Sequence, residues 1–373
     1  MSNHNTGLNT IEIQPKDTAK QRLNGIMAAS ENYHNILQSE KEKKGLFIVK
    51  TASRWIEQAK TRPIPKMLFG EFWHEGELCI LFADTNLGKS ILAVQQGDSI
   101  STGEAIPGFK LETKKQVVLY FDFELSDKQF ENRYSEKFEN HYQWNENFIR
   151  VEIDPDAEIP EHKTFENFLN ESLECSIKET GAKVLLIDNI TYLKNETEKA
   201  KDALPLMKHL KALKNKYGLS ILALAHTPKR DLSKPITRND LSGSKMLINF
   251  CDSSFAIGES STDKNLRYLK QIKARSTEII YDSDNVCVCQ ISKSSNFLKF
   301  DFLNFGTEQE HLKQYSENEK SEIENHVKDL LQAEPTITAY AIAKKLCKDE
   351  SKFNSFKVKI TRIVNRISNN SNT

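Results

Sequence analysis

The chain has 373 residues, of which 38% are hydrophobic and 28% are charged, a composition that excludes a disordered or fibrous protein. Its formal net charge is zero, so any affinity for nucleic acid must come from a local basic patch. The polar amino terminus has no apolar segment like that of a secretion signal, and no apolar run is long enough to span a bilayer. We therefore expect a cytoplasmic protein that makes no contact with a membrane.

Changes in composition along the chain predict five segments. Residues 1–30 are polar and predict a disordered lead-in, and residues 31–65 predict a helical segment that ends near two prolines. Residues 66–305 predict one large α/β domain. Residues 306–320 are rich in glutamate and predict a charged linker, and residues 321–373 predict a small helical domain.

Within the large domain, short apolar runs alternate with amphipathic stretches. Strands are predicted at residues 78–82, 117–123, 184–187, 221–225 and 254–257. Helices are predicted at residues 90–101, 127–140, 164–179 and 203–217. Runs that are apolar throughout indicate strands covered on both faces, and their alternation with helices indicates a parallel sheet flanked by helices.

The pattern changes after residue 257, where closely spaced runs predict antiparallel hairpins that extend the sheet. These runs are residues 266–274, 278–281, 286–291 and 297–302. Helices are predicted further on at residues 327–331, 339–346 and 353–367, with Thr338 as an N-cap. The six cysteines lack paired metal-binding spacing, so we expect buried free thiols.

One loop between a predicted strand and a predicted helix fits the phosphate-binding P-loop pattern, with alanine at its first position. The predicted nucleotide-binding residues are Ala83, Asp84, Thr85, Asn86, Leu87, Gly88, Lys89, Ser90 and Ile91. Gly88 lets the backbone approach the phosphates, Lys89 reaches the β- and γ-phosphates, and the Ser90 hydroxyl coordinates Mg²⁺. The alternative, a chance sequence in a turn, is disfavoured by the strand–loop–helix setting. We therefore expect ATP and Mg²⁺ as ligands.

Two acidic residues follow apolar runs and complete the predicted site. Asp188 ends one run and is expected to hold Mg²⁺; the alternative is an aspartate that caps a turn. Glu124 ends another run and is expected to activate a water molecule as a general base; the alternative is a surface glutamate. Asp122 is a weaker candidate, because it points to the opposite side of the strand. A small-molecule kinase would not require Glu124.

These motifs resemble those of the RecA/DnaB superfamily, and most closely the RepA-type hexameric helicases of plasmids and mobile elements. The resemblance covers residues 65–302 and includes the segments 101–109, 120–126 and 239–244. It implies a RecA-like fold. The sequence departs from the pattern where the family can carry an arginine finger before a glycine, because Ser242 occupies that position and Arg238 lies four residues earlier.

The resemblance also implies roles for three further residues. His226 would sense the γ-phosphate, and Lys273 and Arg275 would reach the nucleotide of a neighbouring subunit, so that catalysis would need a homo-oligomer such as a hexamer. The alternatives are a histidine bonded to its own turn and a strand end exposed to solvent.

Two basic regions are candidate contacts with DNA. By the resemblance, the loop 228–234 would line a central pore and bind single-stranded DNA; a solvated surface loop is an equal alternative. The C-terminal helices resemble a helix-turn-helix or winged-helix module, and the basic last helix would contact duplex DNA. That helix could instead be amphipathic, with its cations merely solvated.

The leading hypothesis is therefore a Mg²⁺-dependent ATPase that acts on DNA as a helicase or related motor. The second hypothesis is a DNA-binding regulator or replication-initiation factor that uses ATP as an assembly switch without translocating. A phosphotransferase acting on a small molecule is a third.

Overall fold

The structure is a computed structural model, which describes residues 27, 47–193, 203–228, 230–241, 245–313, 317–347 and 353–370. The predicted lead-in, 1–30, lies outside the described residues except for Met27. The chain divides into two compact units, Met1–Ile64 and Pro65–Thr373. In the described part of the first unit, helix α1 (Ala52–Lys60) begins after Thr51, whose hydroxyl accepts a hydrogen bond from the Arg54 amide.

The second unit contains the strands and the remaining helices. The strands are β1 (Met67–Phe69), β2 (Trp73–His74), β3 (Leu78–Ala83), β4 (Val118–Asp122), β5 (Ser135–Glu136), β6 (Asn140–His141), β7 (Phe148–Val151), β8 (Val184–Asp188), β9 (Ser220–His226), β10 (Ser253–Glu259), β11 (Leu266–Lys273), β12 (Val286–Ser294) and β13 (Phe297–Gly306). The helices are α2 (Lys89–Thr102), α3 (Asp127–Arg133), α4 (Phe165–Thr180), α5 (Ala203–Tyr217), α6 (Lys245–Phe250), α7 (Glu308–His311), α8 (Glu317–Ala333), α9 (Ala339–Leu346) and α10 (Phe353–Asn370).

Among the described residues, nine strands form the main sheet in the order β13-β12-β11-β10-β3-β9-β8-β4-β7. The strands from β10 to β7 in this order are parallel, and β11, β12 and β13 continue the sheet as antiparallel hairpins. The prediction of a RecA-like parallel sheet with an antiparallel C-terminal extension is therefore confirmed.

The two faces of the sheet are covered by different helices, because alternate residues of a strand point to opposite faces. On β3, Leu78, Ile80 and Phe82 share a buried cluster with residues of α4, α5 and α6. Cys79, Leu81 and Ala83 share the other cluster, to which α2 contributes Leu92, Ala93 and Val94. The loop between β3 and α2 therefore lies at the carboxyl edge of the sheet, with core on both sides of its strand.

Two predicted elements were wrong in detail. The helix predicted over 127–140 ends at Arg133, and Lys137 and Phe138 adopt left-handed φ angles of 54° and 62° in the turn between β5 and β6. The strand predicted at 278–281 does not form. Instead, the side-chain oxygen of Gln271 accepts hydrogen bonds from the backbone amides of Ile280 and Tyr281, at 2.8 and 2.9 Å.

The C-terminal helices α8, α9 and α10 enclose a small apolar core of their own, centred on Val327, Ile342 and Ile360. The Thr338 hydroxyl accepts a hydrogen bond from the Ala341 amide at 3.2 Å, as expected of an N-cap. In the described part of residues 317–370 there is no strand, so a wing is not among the elements seen.

Two further observations bear on the sequence predictions. None of the cysteines forms a disulfide, and four of the six are buried, whereas Cys175 is exposed and Cys347 is partly exposed. No described helix is both long enough and apolar enough to cross a bilayer.

Candidate active site

The loop that joins β3 to α2 has the backbone of an anion-binding site. Asn86 and Gly88 adopt left-handed φ angles of 63° and 93°. Such residues orient successive backbone N–H groups toward one concavity, and the amino terminus of a helix adds further donors. A Cβ on Gly88 would lie 2.9 Å from side-chain carbons of Ile291 and Phe300. Glycine therefore suits this position both for its φ angle and for the space available.

Lys89 is nearly buried, with 6% of its surface exposed. Its ammonium donates hydrogen bonds to the carbonyl oxygens of Ala83 and Asp84, both at 3.2 Å, and lies 3.1 Å from Nδ1 of His226. Burial lowers the pKa of Lys89, while the charges of Asp188, Glu124 and Asp84 act in the opposite direction. The cation is thus held at the loop, where a phosphate group would meet it.

His226 connects this lysine to Glu124. A protonated amine cannot accept a hydrogen bond, so the contact with Lys89 makes Nδ1 of His226 the acceptor and leaves the proton on Nε2. Nε2 lies 3.5 Å from Oε1 of Glu124. This hydrogen bond is the main cause of the lowered pKa of Glu124, and partial burial acts against it. Glu124 is therefore held as a carboxylate, the form that a general base requires.

Asn189, which sequence reasoning missed, is a second hydrogen-bond partner of Glu124. Its amide nitrogen donates to Oε1 of Glu124. Its oxygen accepts the backbone N–H of Thr191 at 2.8 Å. Asn189 directly follows Asp188 at the end of β8, and a polar residue in that position was the only available signal.

The surroundings of Asp188 are those expected of a metal ligand. It is 1% exposed, and among the described residues its Oδ1 has no hydrogen-bond partner. Oδ2 accepts a hydrogen bond from the Tyr120 hydroxyl at 2.9 Å. Burial raises the pKa of Asp188 to about 6, and a hydrogen bond from Ser90 partly offsets this. An orphaned carboxylate oxygen beside a hydroxyl is a donor set that suits Mg²⁺. No sequence signal pointed to Tyr120.

Asp122 does not face the nucleotide loop as a catalytic group; it holds the segment that carries Glu124. Its side chain is fully buried. Oδ1 accepts the backbone N–H groups of Glu124 and Leu125, at 3.2 and 3.0 Å. These contacts support a structural role for Asp122, which the sequence analysis gave as a weaker catalytic candidate than Glu124.

Lys273 and Arg275 are not brought to the nucleotide loop of their own chain. Lys273 pairs with Ser254 near the start of β10, and its ammonium donates to carbonyl oxygens at the end of α6, including that of Cys251 at 2.7 Å. Arg275 donates to Asp252 at 3.1 Å and remains half exposed. Both lie toward the amino edge of the parallel strands, since Lys273 is level with Ile80 of β3, three residues or about 10 Å before the end of that strand, and Arg275 lies further on.

The basic loop after His226 is largely neutralised within the chain. Arg230 is 7% exposed, lies 3.8 Å from Asp240 and donates to the Lys234 carbonyl at 2.6 Å. Lys234 forms an exposed ion pair with Asp231 at 3.3 Å. Lys229, and Ser242 with its following glycine, lie outside the described residues.

Comparisons with known proteins found one family and similar solved structures. Residues 48–231 match the AAA domain family AAA_25. Among solved structures, the chain is similar to the KaiC-like protein PH0186 from Pyrococcus horikoshii OT3, at 13% identity and a TM-score of 0.44; the match covers 64% of this chain and 99% of that one. A comparison with curated proteins finds no match.

The family match includes the phosphate loop, Glu124 and Asp188, and the strand order places these residues at one edge of the sheet. Residues 48–231, which are 184 of the 373 residues, are therefore similar to the AAA domain family.

Proposed function

We propose that this protein is a Mg²⁺-dependent ATPase that acts on DNA as a helicase or related motor. The observation that carries the proposal is the chain of contacts from Lys89 through His226 to Glu124, beside the orphaned carboxylate of Asp188. A P-loop that only bound nucleotide would not require a glutamate linked through an imidazole to the loop lysine.

Each residue has a distinct task in this proposal. The loop amides and Lys89 bind the phosphates, and Ser90 and Asp188 hold the metal ion. When bound, MgATP supplies an electrophilic γ-phosphoryl group. Glu124 accepts a proton from the attacking water, and His226 and Asn189 fix the orientation of its carboxylate.

Hydrolysis is tested by replacing Glu124 and Lys89 separately. We expect Glu124→Gln to lower kcat by about 10²- to 10⁴-fold while nucleotide binding is retained, because only proton transfer is lost. Lys89→Ala should lose nucleotide affinity as well. ATP turnover and binding of a fluorescent ATP analogue are measured for both variants. Turnover by Glu124→Gln at the parent rate would overturn the catalytic assignment.

Action on DNA is supported by the C-terminal helices. On α10, Ile360 and Ile363 are buried, whereas Lys357 and Arg362 are exposed. The helix is thus amphipathic and also presents cations to solvent, as a phosphate-contacting helix must. Strong stimulation of ATP turnover by single-stranded DNA, together with strand separation, is the result expected of a motor.

A second function is favoured by one specific observation. Arg230 and Lys234 are paired with Asp240 and Asp231, which leaves the described part of the loop 228–234 with little free positive charge for a pore. An ATP-switched regulator would bind duplex DNA through the C-terminal helices and would not translocate. ATP-dependent binding of one duplex site, without unwinding and without stimulation by single strands, would favour this function over the motor.

A further inference from the structure

The segment that carries Glu124 lies between β4 and α3, and hydrogen bonds to the side chain of Asp122 hold its backbone. The backbone amides of Glu124 and Leu125 bind Oδ1 of Asp122, as described above. The Glu124 side chain itself is about one third exposed, at 32%. The position of its carboxylate therefore depends on how firmly this short segment of backbone is held.

Arg150 on β7 binds this segment at three points. Its Nε donates to Oδ2 of Asp122 at 2.9 Å, one terminal nitrogen donates to the Leu125 carbonyl at 2.7 Å, and the other donates to Asp127 at 2.8 Å. The guanidinium also forms an ion pair with Glu152 and lies 4.6 Å from the ring centroid of Phe130. These contacts are made from a side chain that is only 17% exposed.

The three donors of the guanidinium form a rigid planar fork, which a lysine cannot reproduce. Arg150 also balances the charge of Asp122, whose side chain is fully buried. Without that cation, Asp122 would be an uncompensated buried carboxylate, and its hold on the Glu124 and Leu125 amides would weaken. Loss of Arg150 therefore removes both the direct and the indirect restraints on Glu124.

We propose that Arg150 is a positioning residue for hydrolysis, which sets Glu124 against His226 and Asn189 by clamping the backbone on its carboxyl-terminal side. This inference rests on the proposed role of Glu124. It predicts that Arg150 influences the chemical step and not the binding of nucleotide, because the hydrogen bonds of Arg150 go to Asp122, Leu125 and Asp127 and not to the nucleotide loop.

The test begins with Arg150→Met and Arg150→Lys. We expect both to lower kcat by about 10- to 100-fold, as a small displacement of a catalytic group does, while KM for ATP and analogue affinity stay within about twofold of the parent. Lys214→Met is the matched control, since Lys214 is a similarly buried cation that binds Asp252 and the Gly76 carbonyl at the opposite edge of the sheet. It should lose stability without a loss of kcat per folded molecule.

Chemical rescue supplies a readout that a purely structural role would not give. A surface cavity of about 330 Å³, lined by Arg150, Phe130 and Asp127 among others, gives solutes access to this position. Guanidinium chloride at millimolar concentration should restore part of the turnover of Arg150→Ala, and it should not restore turnover of Glu124→Gln.

The variants distinguish failure of the positioning role of Arg150 from failure of the general-base role of Glu124. If Glu124→Gln is inactive but Arg150→Met retains the kcat of the parent, the clamp is refuted and the general base stands. If Arg150→Met loses activity only in proportion to its unfolded fraction, the clamp is likewise refuted. If Glu124→Gln turns over ATP normally, the proposed function itself fails.

Discussion

Asp188, the proposed metal ligand, shows at the scale of a single residue how a buried carboxylate lowers the stability of the fold. Burial raises the pKa of its carboxyl to about 6, although a hydrogen bond from Ser90 acts against this. A folded pKa above the unfolded value means that ionisation destabilises the fold. The cost vanishes below the unfolded pKa of about 4, grows as the pH rises from there to the folded pKa of about 6, and levels off at about 3 kcal/mol near neutrality, since one pH unit corresponds to about 1.4 kcal/mol.

We therefore expect Asp188→Asn to stabilise the protein, in the absence of Mg²⁺ and nucleotide, by about 1–3 kcal/mol at pH 8. The gain should shrink to near zero only below about pH 3.5, where the carboxyl is protonated in both the folded and the unfolded state. Urea unfolding at several pH values measures both quantities. Binding of MgATP should be weakened by the same substitution, because the metal ligand is lost.

Asp252→Asn serves as a control, because it should change the free energy of unfolding in the opposite direction to Asp188→Asn. Burial would raise the pKa of Asp252, but hydrogen bonds from Lys214 and the Leu78 amide outweigh it and hold the pKa below its usual value. This substitution should destabilise the protein at neutral pH, and the loss should diminish as the pH falls through the lowered pKa. Equal effects of the two variants at every pH would contradict the assignment for Asp188.

Sequence reasoning could propose the candidate site residues that occupy fixed positions in a local pattern. Lys89 and Ser90 follow the loop glycine, and Asp188 and Glu124 follow apolar runs. Arg150 and Tyr120 could not be found in this way, because their partners depend on the pairing of strands that are distant in sequence. Arg150 lies opposite Tyr120 where β4 pairs with β7, and no local sequence pattern predicts the register of that pairing.

At the scale of elements, the helix that follows the phosphate loop is joined to the C-terminal hairpin. The amide nitrogen of Gln95 on α2 donates to the Phe300 carbonyl at 3.0 Å, and its oxygen accepts the Phe300 N–H at 2.8 Å. Both residues are buried. One side chain therefore satisfies two backbone groups of β13 and ties the edge strand of the sheet to α2.

We expect Gln95→Leu to destabilise the protein by about 2–4 kcal/mol, because it leaves a buried N–H and a buried carbonyl without partners. Gln96→Leu is a matched control on the next residue. Gln96 is fully buried, and neither polar atom of its side chain has a hydrogen-bond partner among the described residues. Replacing it by an apolar side chain of similar size should be neutral or stabilising. If urea unfolding shows the same loss of stability for Gln95→Leu and Gln96→Leu, the role given to Gln95 is refuted.

The elements that sequence reasoning predicted wrongly share a cause. The apolar run 278–281 has strand-like composition, but Gln271 supplies the acceptor that a neighbouring strand would otherwise provide. The helix predicted over 127–140 stops early because Phe130 and Tyr134 pack against Trp144 in an aromatic cluster beside the β5–β6 turn. In both places a tertiary contact overrides the local preference. The short runs that are apolar throughout met no such tertiary contact, and strands formed there as predicted.

At the scale of the whole molecule, the parallel strands separate two groups of candidate site residues. The nucleotide loop, Glu124 and Asp188 lie at the carboxyl edge, and Lys273 and Arg275 lie toward the amino edge. A head-to-tail assembly brings the amino edge of one copy to the carboxyl edge of the next. If Arg275 serves catalysis, it therefore serves the site of a neighbouring copy and not its own.

Mixing two inactive variants tests this arrangement. We expect Arg275→Ala to lower kcat by about 10³-fold, the effect of losing an arginine finger, and Glu124→Ala to be inactive for a different reason. In a mixed assembly with equal amounts of each, about a quarter of the interfaces combine an intact Glu124 with an intact Arg275, since each is supplied by half of the chains. ATP turnover should then recover to at most that fraction of the parent rate.

The recovery should depend on the mixing ratio and disappear when either variant is in large excess, because productive interfaces then become rare. Native mass measurement with an ATP analogue establishes that the variants exchange subunits. The ion pair between Arg275 and Asp252 must open for the arginine to reach across, so Asp252→Asn in the same background should not impair the recovery. Failure to recover in a mixture that demonstrably exchanges would mean that Arg275 only caps the end of α6 and that each copy hydrolyses ATP without its neighbour.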